Sequence, residues 1–272
     1  MRSTLEYVYC VVPALALPAT ADEAPAGVDG GEVRRIVVGD IAALVSTLDS
    51  AGYAADAVSE RVLDAEWLTP RAVAHDTVVT WASDVGPVVP LPMWVMFASS
   101  EGVAAMLETR SALLQKEIDV VRGAREYGVR VSGDRHALAE AVVLLDPNLA
   151  ALEQQAQVAP PGQAYLLKRK LAAARKDSAR DAADRVASEI HASLAGVARA
   201  SALRRREKTG GGSGQPNLIL DGAYLVSDDQ YDEFRLALTQ LIQRYDTTGT
   251  TGGCRFEFTG PWPPYHFVRG SE

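Results

Sequence analysis

Cys254-Arg-Phe-Glu-Phe-Thr-Gly-Pro-Trp-Pro-Pro-Tyr-His-Phe267 (CRFEFTGPWPPYHF) joins two kinds of local instruction. From Cys254 to Thr259 the side chains alternate: Cys254, Phe256 and Phe258 share one face, and Arg255, Glu257 and Thr259 share the other. This is the period of a half-buried strand. Three prolines then fix φ near −65° and bar a helix, so Gly260 to Tyr265 must run extended or turned, with Gly260 supplying the bend. Trp262 adds a large amphipathic face. A strand therefore delivers a rigid aromatic turn.

Working back from this strand, Leu218–Val226 reads as another strand. Ser227 and Gln230 have the spacing of a capping box, opening a helix on which Tyr231, Phe234, Leu238, Leu241 and Tyr245 recur at helical intervals. The loop 247–253 returns the chain to the final strand. Further upstream, Pro160-Pro161-Gly162 is a breaker cluster that ends a linker or short helix. From Ala164 to about Arg199 the sequence is Ala-, Leu-, Lys-, Arg- and Asp-rich without proline, suited to one long helix or two with little break between them. Leu167, Leu171 and Ala174 form one stripe on it, and Val186, Ile190, Leu194 and Val197 another. The glycine-rich run within 209–216 is a flexible loop by composition.

In the first half, Leu5–Val12, Val33–Val38 and Ile41–Ser46 read as strands, with Pro18–Gly31 a loop. Thr69 with Pro70 is expected to start a helix whose stripe is Ala74, Val78 and Trp81. Val88–Phe97 is apolar but punctuated by Pro90 and Pro92, the mark of an edge strand or extended crossing segment. Ser99 or Ser100 caps a helix with Val103, Met106, Leu107, Leu114, Ile118 and Val121 on one face, and Tyr127, Val129 and Val131 begin the next strand. The order of elements implies an α+β fold with helices on one face of a largely antiparallel sheet. Length and 47% hydrophobic content suit two such domains, 1–150 and 151–272.

The formal net charge of −8 argues against nucleic-acid binding through phosphate neutralisation. Arg2 and the apolar run Tyr7–Ala19 imitate an export signal, but Glu6, Pro13, Pro18 and the strand-forming residues favour a first strand instead. No apolar run approaches the roughly 20 residues that span a bilayer. Cys10 and Cys254 offer no metal-ligand spacing and read as reduced core residues.

Catalytic signatures are missing from the sequence. His75, His136, His191 and His266 are dispersed, with no HExxH, phosphate loop, dinucleotide fingerprint or nucleophile elbow. His75 beside Asp76 is the one candidate general base, and an isolated histidine is more often a hydrogen-bonding residue. Asp228, Asp229 and Asp232 suit the start of a helix better than a cation site, because other calcium-loop ligands are missing. No catalytic residue, metal or cofactor is expected. Surface chemistry carries more information: Lys168, Arg169, Lys170, Arg175 and Lys176, with Arg204, Arg205 and Arg206 further on, concentrate positive charge in an acidic chain. They form either a solvated helix face or a contact for an acidic protein.

The string TGPWPPYHFV resembles the C-terminal signature of the gas vesicle protein F/L family (GvpF/GvpL). Further blocks agree: Tyr7-Val8-Tyr9, Gly27-Val28-Asp29-Gly30-Gly31, Gly39–Ser46, Glu126–Val131, Gly162–Lys170, Ile190–Leu194, and Asn217–Val226 with Phe234. The chain departs from the family at Pro90–Ala98, where Trp94 occupies a position usually held by glycine, so a positive-φ turn there would be strained. The resemblance implies two modified ferredoxin-like domains and a cytoplasmic, gas vesicle-associated accessory protein without enzymatic activity. Its implied partners are the small hydrophobic shell protein and other vesicle accessory proteins. Candidate contacts are then Trp94 and Phe97, the aromatic turn at Trp262 and Tyr265, and the basic residues Lys168, Arg169 and Arg175. The competing expectation is a ligand-binding or catalytic ferredoxin-like domain pair, since that fold hosts many functions.

Overall fold

A computed structural model describes residues 4–16, 24–53, 55–133, 147–204, 217–245 and 254–268. The expected loops at 209–216 and 247–253 lie outside the described residues, as do Arg205, Arg206 and part of the expected loop at 18–31. The chain divides into two compact units. The first comprises Met1–Glu126 with Pro261–Glu272, and the second comprises Tyr127–Gly260. This differs from a division at 150/151, a position that falls inside a helix. The chain changes unit within strands at both crossings: no breaker residue marks the one at Glu126–Tyr127, whereas the other falls at Gly260–Pro261.

The first unit contains β1 (Thr4–Pro13), β2 (Arg34–Val38), β3 (Ile41–Asp49), α1 (Ala55–Arg61), α2 (Ala65–Val85), β4 (Val89–Pro90), β5 (Met96–Phe97) and α3 (Ser100–Val121). Its sheet runs β2-β3-β1-β4, with β5 also pairing with β1, all antiparallel. The Val88–Phe97 segment is thus an interrupted edge, as its prolines indicate. In β1 the register with β3 shifts between Val8 and Cys10. This bulge turns Tyr9 and Cys10 into the same core as Tyr7 and Val12, while Val8 and Val11 enter the opposite one.

Both faces of this sheet are covered. Val78, Val79 and Ala82 of α2 pack on one side, and Val103, Leu107, Leu114 and Ile118 of α3 on the other. The expectation of helices on one face is therefore corrected for this unit. Unbroken apolar runs at Tyr7–Val12 and Ile41–Val45, which lack polar alternation, follow from double-sided burial. Helix α2 also starts earlier than expected. Asp64, not Thr69, is its N-cap, accepting the Glu66 N–H at 2.9 Å, and Pro70 lies inside the helix. Trp67 packs against the core from that added turn, compensating for the hydrogen bond Pro70 cannot donate. Ser99 caps α3 through Gly102 N–H at 3.4 Å, whereas the Ser100 hydroxyl reaches Glu6.

The second unit contains most of β6 (Ala124–Gly133), then α4 (Pro147–Val158), α5 (Pro161–Ala195), β7 (Ala200–Leu203), β8 (Asn217–Ser227), α6 (Tyr231–Tyr245) and most of β9 (Cys254–Trp262). The sheet order is β7-β8-β6-β9. Ile190 and Leu194 of α5 and Phe234, Leu238 and Leu241 of α6 meet Tyr127, Val129, Val131, Tyr224 and Val226 in one core. Cys254 is buried, Phe256 and Phe258 are half-buried and Arg255 and Glu257 are exposed, as the alternation requires. Phe258 stacks on Tyr127 at 5.4 Å, fixing β9 against β6. Ser227 does not form the expected capping box: its hydroxyl accepts Arg199 Nε at 3.1 Å instead. Helix α5 has 35 residues, a length of about 52 Å.

Candidate partner-contact surfaces

Local backbone geometry and one buried carboxylate fix the C-terminal turn. Gly260 adopts φ 112°, a value open only to glycine, and directs the strand into Pro261. Pro263 and Pro264 are buried, and Tyr265 N–H and Phe267 N–H close tight turns onto the carbonyls of Pro263 (2.7 Å) and Pro264 (3.1 Å). Glu126, only 1% exposed, then clamps the segment: its carboxylate accepts the His266 backbone N–H at 3.0 Å and the His266 ring Nδ1 at 2.6 Å. A buried carboxylate needs such charge-assisted donors.

Anchoring leaves the two large rings accessible. Trp262 is 44% exposed and Tyr265 is 40% exposed. The hydroxyl end of Tyr265 is the enclosed part: it donates to Asp76 Oδ1 at 3.3 Å, and burial, reinforced by that carboxylate, pushes the phenol up. Large rings fixed on a rigid support lose little entropy on contact, which suits recognition of apolar surface.

Trp94 has a different environment. It adopts φ 73°, the left-handed conformation that its place at a usual glycine position implies, and it is half-buried. Its indole stacks on Trp67 at 5.2 Å and meets Tyr7 edge-on at 6.0 Å. Arg71 covers the Trp67 ring at 4.4 Å and pairs with Asp29 at 2.8 Å. Tyr53 donates its hydroxyl to Asp29, and its phenol is pushed up to about 12 by burial first and Asp29 second. Asp29 itself is held at φ 53° by the tight Gly27–Gly31 loop. The strain at Trp94 is thus matched by an aromatic–arginine stack, and Phe97, half-buried beside it in sequence, packs on the α3 side.

Among the basic residues, Lys168 and Arg169 are exposed, while Arg175 turns inward to pair with Glu153 of α4 at 2.9 Å. Lys168 and Arg169 therefore remain surface groups, and Arg175 joins two helices.

The histidine candidates are built into packing. His75 is 4% exposed, shares a 2.9 Å hydrogen bond with Tyr7, and has its pKa lowered by burial to about 4, so it is neutral at pH 7. His191 Nδ1 lies 3.1 Å from the Tyr224 hydroxyl. Among the described residues no group of three or more His, Cys, Asp or Glu side chains is placed to hold a metal ion. No helix there is long and apolar enough to cross a membrane. Sequence reasoning missed Glu126, His266 and Arg71. The available signals were an acid opening the Glu126–Val131 block, a histidine directly after the aromatic motif, and an aspartate inside a glycine loop.

The chain is similar to known proteins along nearly its whole length. The sequence profile described as "Gas vesicle synthesis protein GvpL/GvpF" matches residues 5–269. Gas vesicle protein L of Streptomyces sp. (strain CB03234) is 27% identical over 269 residues, covering 98% of this chain and 94% of that protein. Gas vesicle protein L2 of Halobacterium salinarum is 28% identical over 271 residues, covering 96% and 90% respectively. The fold matches the crystal structure of GvpF from Anabaena sp. PCC7120 with a TM-score of 0.75 at 15% identity, covering 98% of this chain and 99% of that one. With a match to the family profile along nearly its whole length, this chain belongs to the GvpL/GvpF family of gas vesicle synthesis proteins.

Proposed function

We propose that this protein is a non-enzymatic, cytoplasmic accessory factor of gas vesicle assembly that binds the small hydrophobic shell protein through the aromatic turn at Trp262 and Tyr265. Family membership supports a gas vesicle-related role. The observation that carries the finer reading is the Glu126 clamp, which fixes the turn while Trp262 and Tyr265 keep 44% and 40% of their surface exposed. A rigid pair of exposed rings can cover apolar surface on a subunit that would otherwise aggregate. Trp94 and Phe97 contribute as the half-buried support of the same unit rather than as its most accessible rings.

A catalytic or ligand-binding role gains no support from His75, which is enclosed and neutral. The test is binding of the full chain to the shell protein of the same organism, with Trp262→Ala and Tyr265→Ala compared with wild type after their folding is verified by circular dichroism. Loss of binding in folded variants supports the assignment. Equal binding overturns it.

A further inference from the structure

Helix α5 presents one continuous face to two different environments. Ala183, Val186, Ile190 and Leu194, spaced by three and four, pack in the second unit's core. Continued toward the helix N-terminus, the same register passes through Lys176, Ala172, Arg169 and Tyr165, all exposed. The adjoining face in this part carries Leu171, which is buried, and Arg175, which binds Glu153 of α4. Thus α4 occupies one side of the overhang while the sheet-facing side continues beyond the sheet core. Tyr165 on that side and Leu166 on its flank are 62% and 64% exposed.

The charges along this segment of the helix have one sign. Lys168, Arg169, Lys170, Arg175 and Lys176 fall between Pro160 and Lys176, where the sequence has no carboxylate; Asp177 is the first to follow. Arg180 extends the exposed basic series one turn further. Among the described residues, Lys168, Arg169, Lys170, Lys176 and Arg180 make no ion pair. Arg169 and Lys176 stand one heptad apart, with Ala172 and Ala173 between them leaving a low seam. Small residues let a second helix approach closely, and the repeat matches carboxylates spaced by seven on that helix. A lipid or nucleic-acid polyanion requires no such seam.

We propose that the overhanging face of α5 is a docking seam for an acidic amphipathic helix of a partner protein. Arg169, Lys176 and Arg180 pair with its carboxylates, while Tyr165 and Leu166 receive its apolar positions. The seam lies on the second unit and does not depend on the aromatic turn.

Fluorescence anisotropy tests this with the full chain and a labelled synthetic helix of about three heptads, Leu and Ala at the seam and Glu flanking it. A control peptide replaces every Glu with Lys. The Glu peptide is expected to bind saturably and more tightly as salt is lowered, with no binding by the Lys peptide. Arg169→Glu combined with Lys176→Glu should weaken the Glu peptide by about tenfold or more and admit the Lys peptide. Tyr165→Ser, which leaves charge unchanged, should weaken it several-fold. Failure of the Glu peptide to bind at low salt overturns the proposal, as does unchanged binding by a double variant with wild-type circular dichroism. Two further outcomes overturn it in favour of another occupant. One is binding to phosphatidylglycerol vesicles that the Glu peptide does not compete, and the other is self-association in sedimentation abolished by the double variant.

Discussion

Removing the Glu126 carboxylate should release the C-terminal turn without unfolding the first unit. Glu126 is 1% exposed and accepts two hydrogen bonds from His266, at 3.0 Å from the backbone N–H and 2.6 Å from the ring. Hydrogen bonds to a charged group contribute about 1.5–3 kcal/mol each, but Glu126→Ala also removes a buried charge whose desolvation opposed folding. The His266 ring is 36% exposed, so water recovers much of its share. These terms leave a net loss of about 3 kcal/mol for Glu126→Ala and about 1 kcal/mol for His266→Ala, which keeps the backbone contact. Hydrogen exchange of residues 265–268, followed by mass spectrometry, reads this opening locally. Exchange should accelerate by about a hundredfold in Glu126→Ala and about fivefold in His266→Ala. Equal acceleration in both variants would mean that the buried carboxylate contributes nothing through the main chain, contrary to this assignment.

Other perturbations probe the core of the first unit. A Cβ at Gly27 would lie 2.2 Å from the Tyr9 hydroxyl and 2.6 Å from Ser46 Oγ. Gly27→Ala must therefore displace a buried phenol that donates to Ser46 and accepts from Val28 N–H, lowering stability by about 3 kcal/mol in urea unfolding. Trp94→Gly relieves the strain at φ 73° but deletes the stack on Trp67, for a net loss of about 2 kcal/mol. Trp94→Ala should cost about 1 kcal/mol more, because alanine retains the positive-φ penalty. His75 is neutral in the folded chain, with its pKa lowered from 6.5 to about 4. Since the unfolded state binds the proton more readily, stability is complete above about pH 6.5 and falls as pH drops toward 4, by about 3 kcal/mol at most. His75→Gln should remove that component of the pH dependence in the unfolding curve.

The sequence was informative where one side-chain pattern had one structural meaning. Cys254, Phe256 and Phe258 alternate because β9 has one core-facing side, and Val103, Leu107, Leu114 and Ile118 mark a helix with a single buried face. Pro90 and Pro92 identified the interrupted edge, and Trp94 at a usual glycine position indicated the strained backbone. Elsewhere the pattern was ambiguous. Continuous apolar residues in β1 and β3 did not reveal that helices cover both faces, and the bulge after Val8 has no sequence mark. Thr69-Pro70 is a sound helix start in isolation, but the packing of Trp67 moved the start to Asp64. Strand β7 has only four residues and depends on pairing with β8, so no local pattern announces it. The Glu126–His266 clamp is likewise invisible in one dimension: its partners are 140 positions apart. Lys168 and Arg169 were legible as charge, whereas the inward turn of Arg175 required α4 to be present.

The central functional claim is tested most directly by co-expressing the chain with the shell protein of the same organism and measuring co-purification of wild type, Trp262→Ala and Tyr265→Ala. Wild type should retain the shell protein, and both folded variants should lose most of it. Retention by the two variants at the wild-type level, or no retention by wild type at any salt concentration, would contradict the claim.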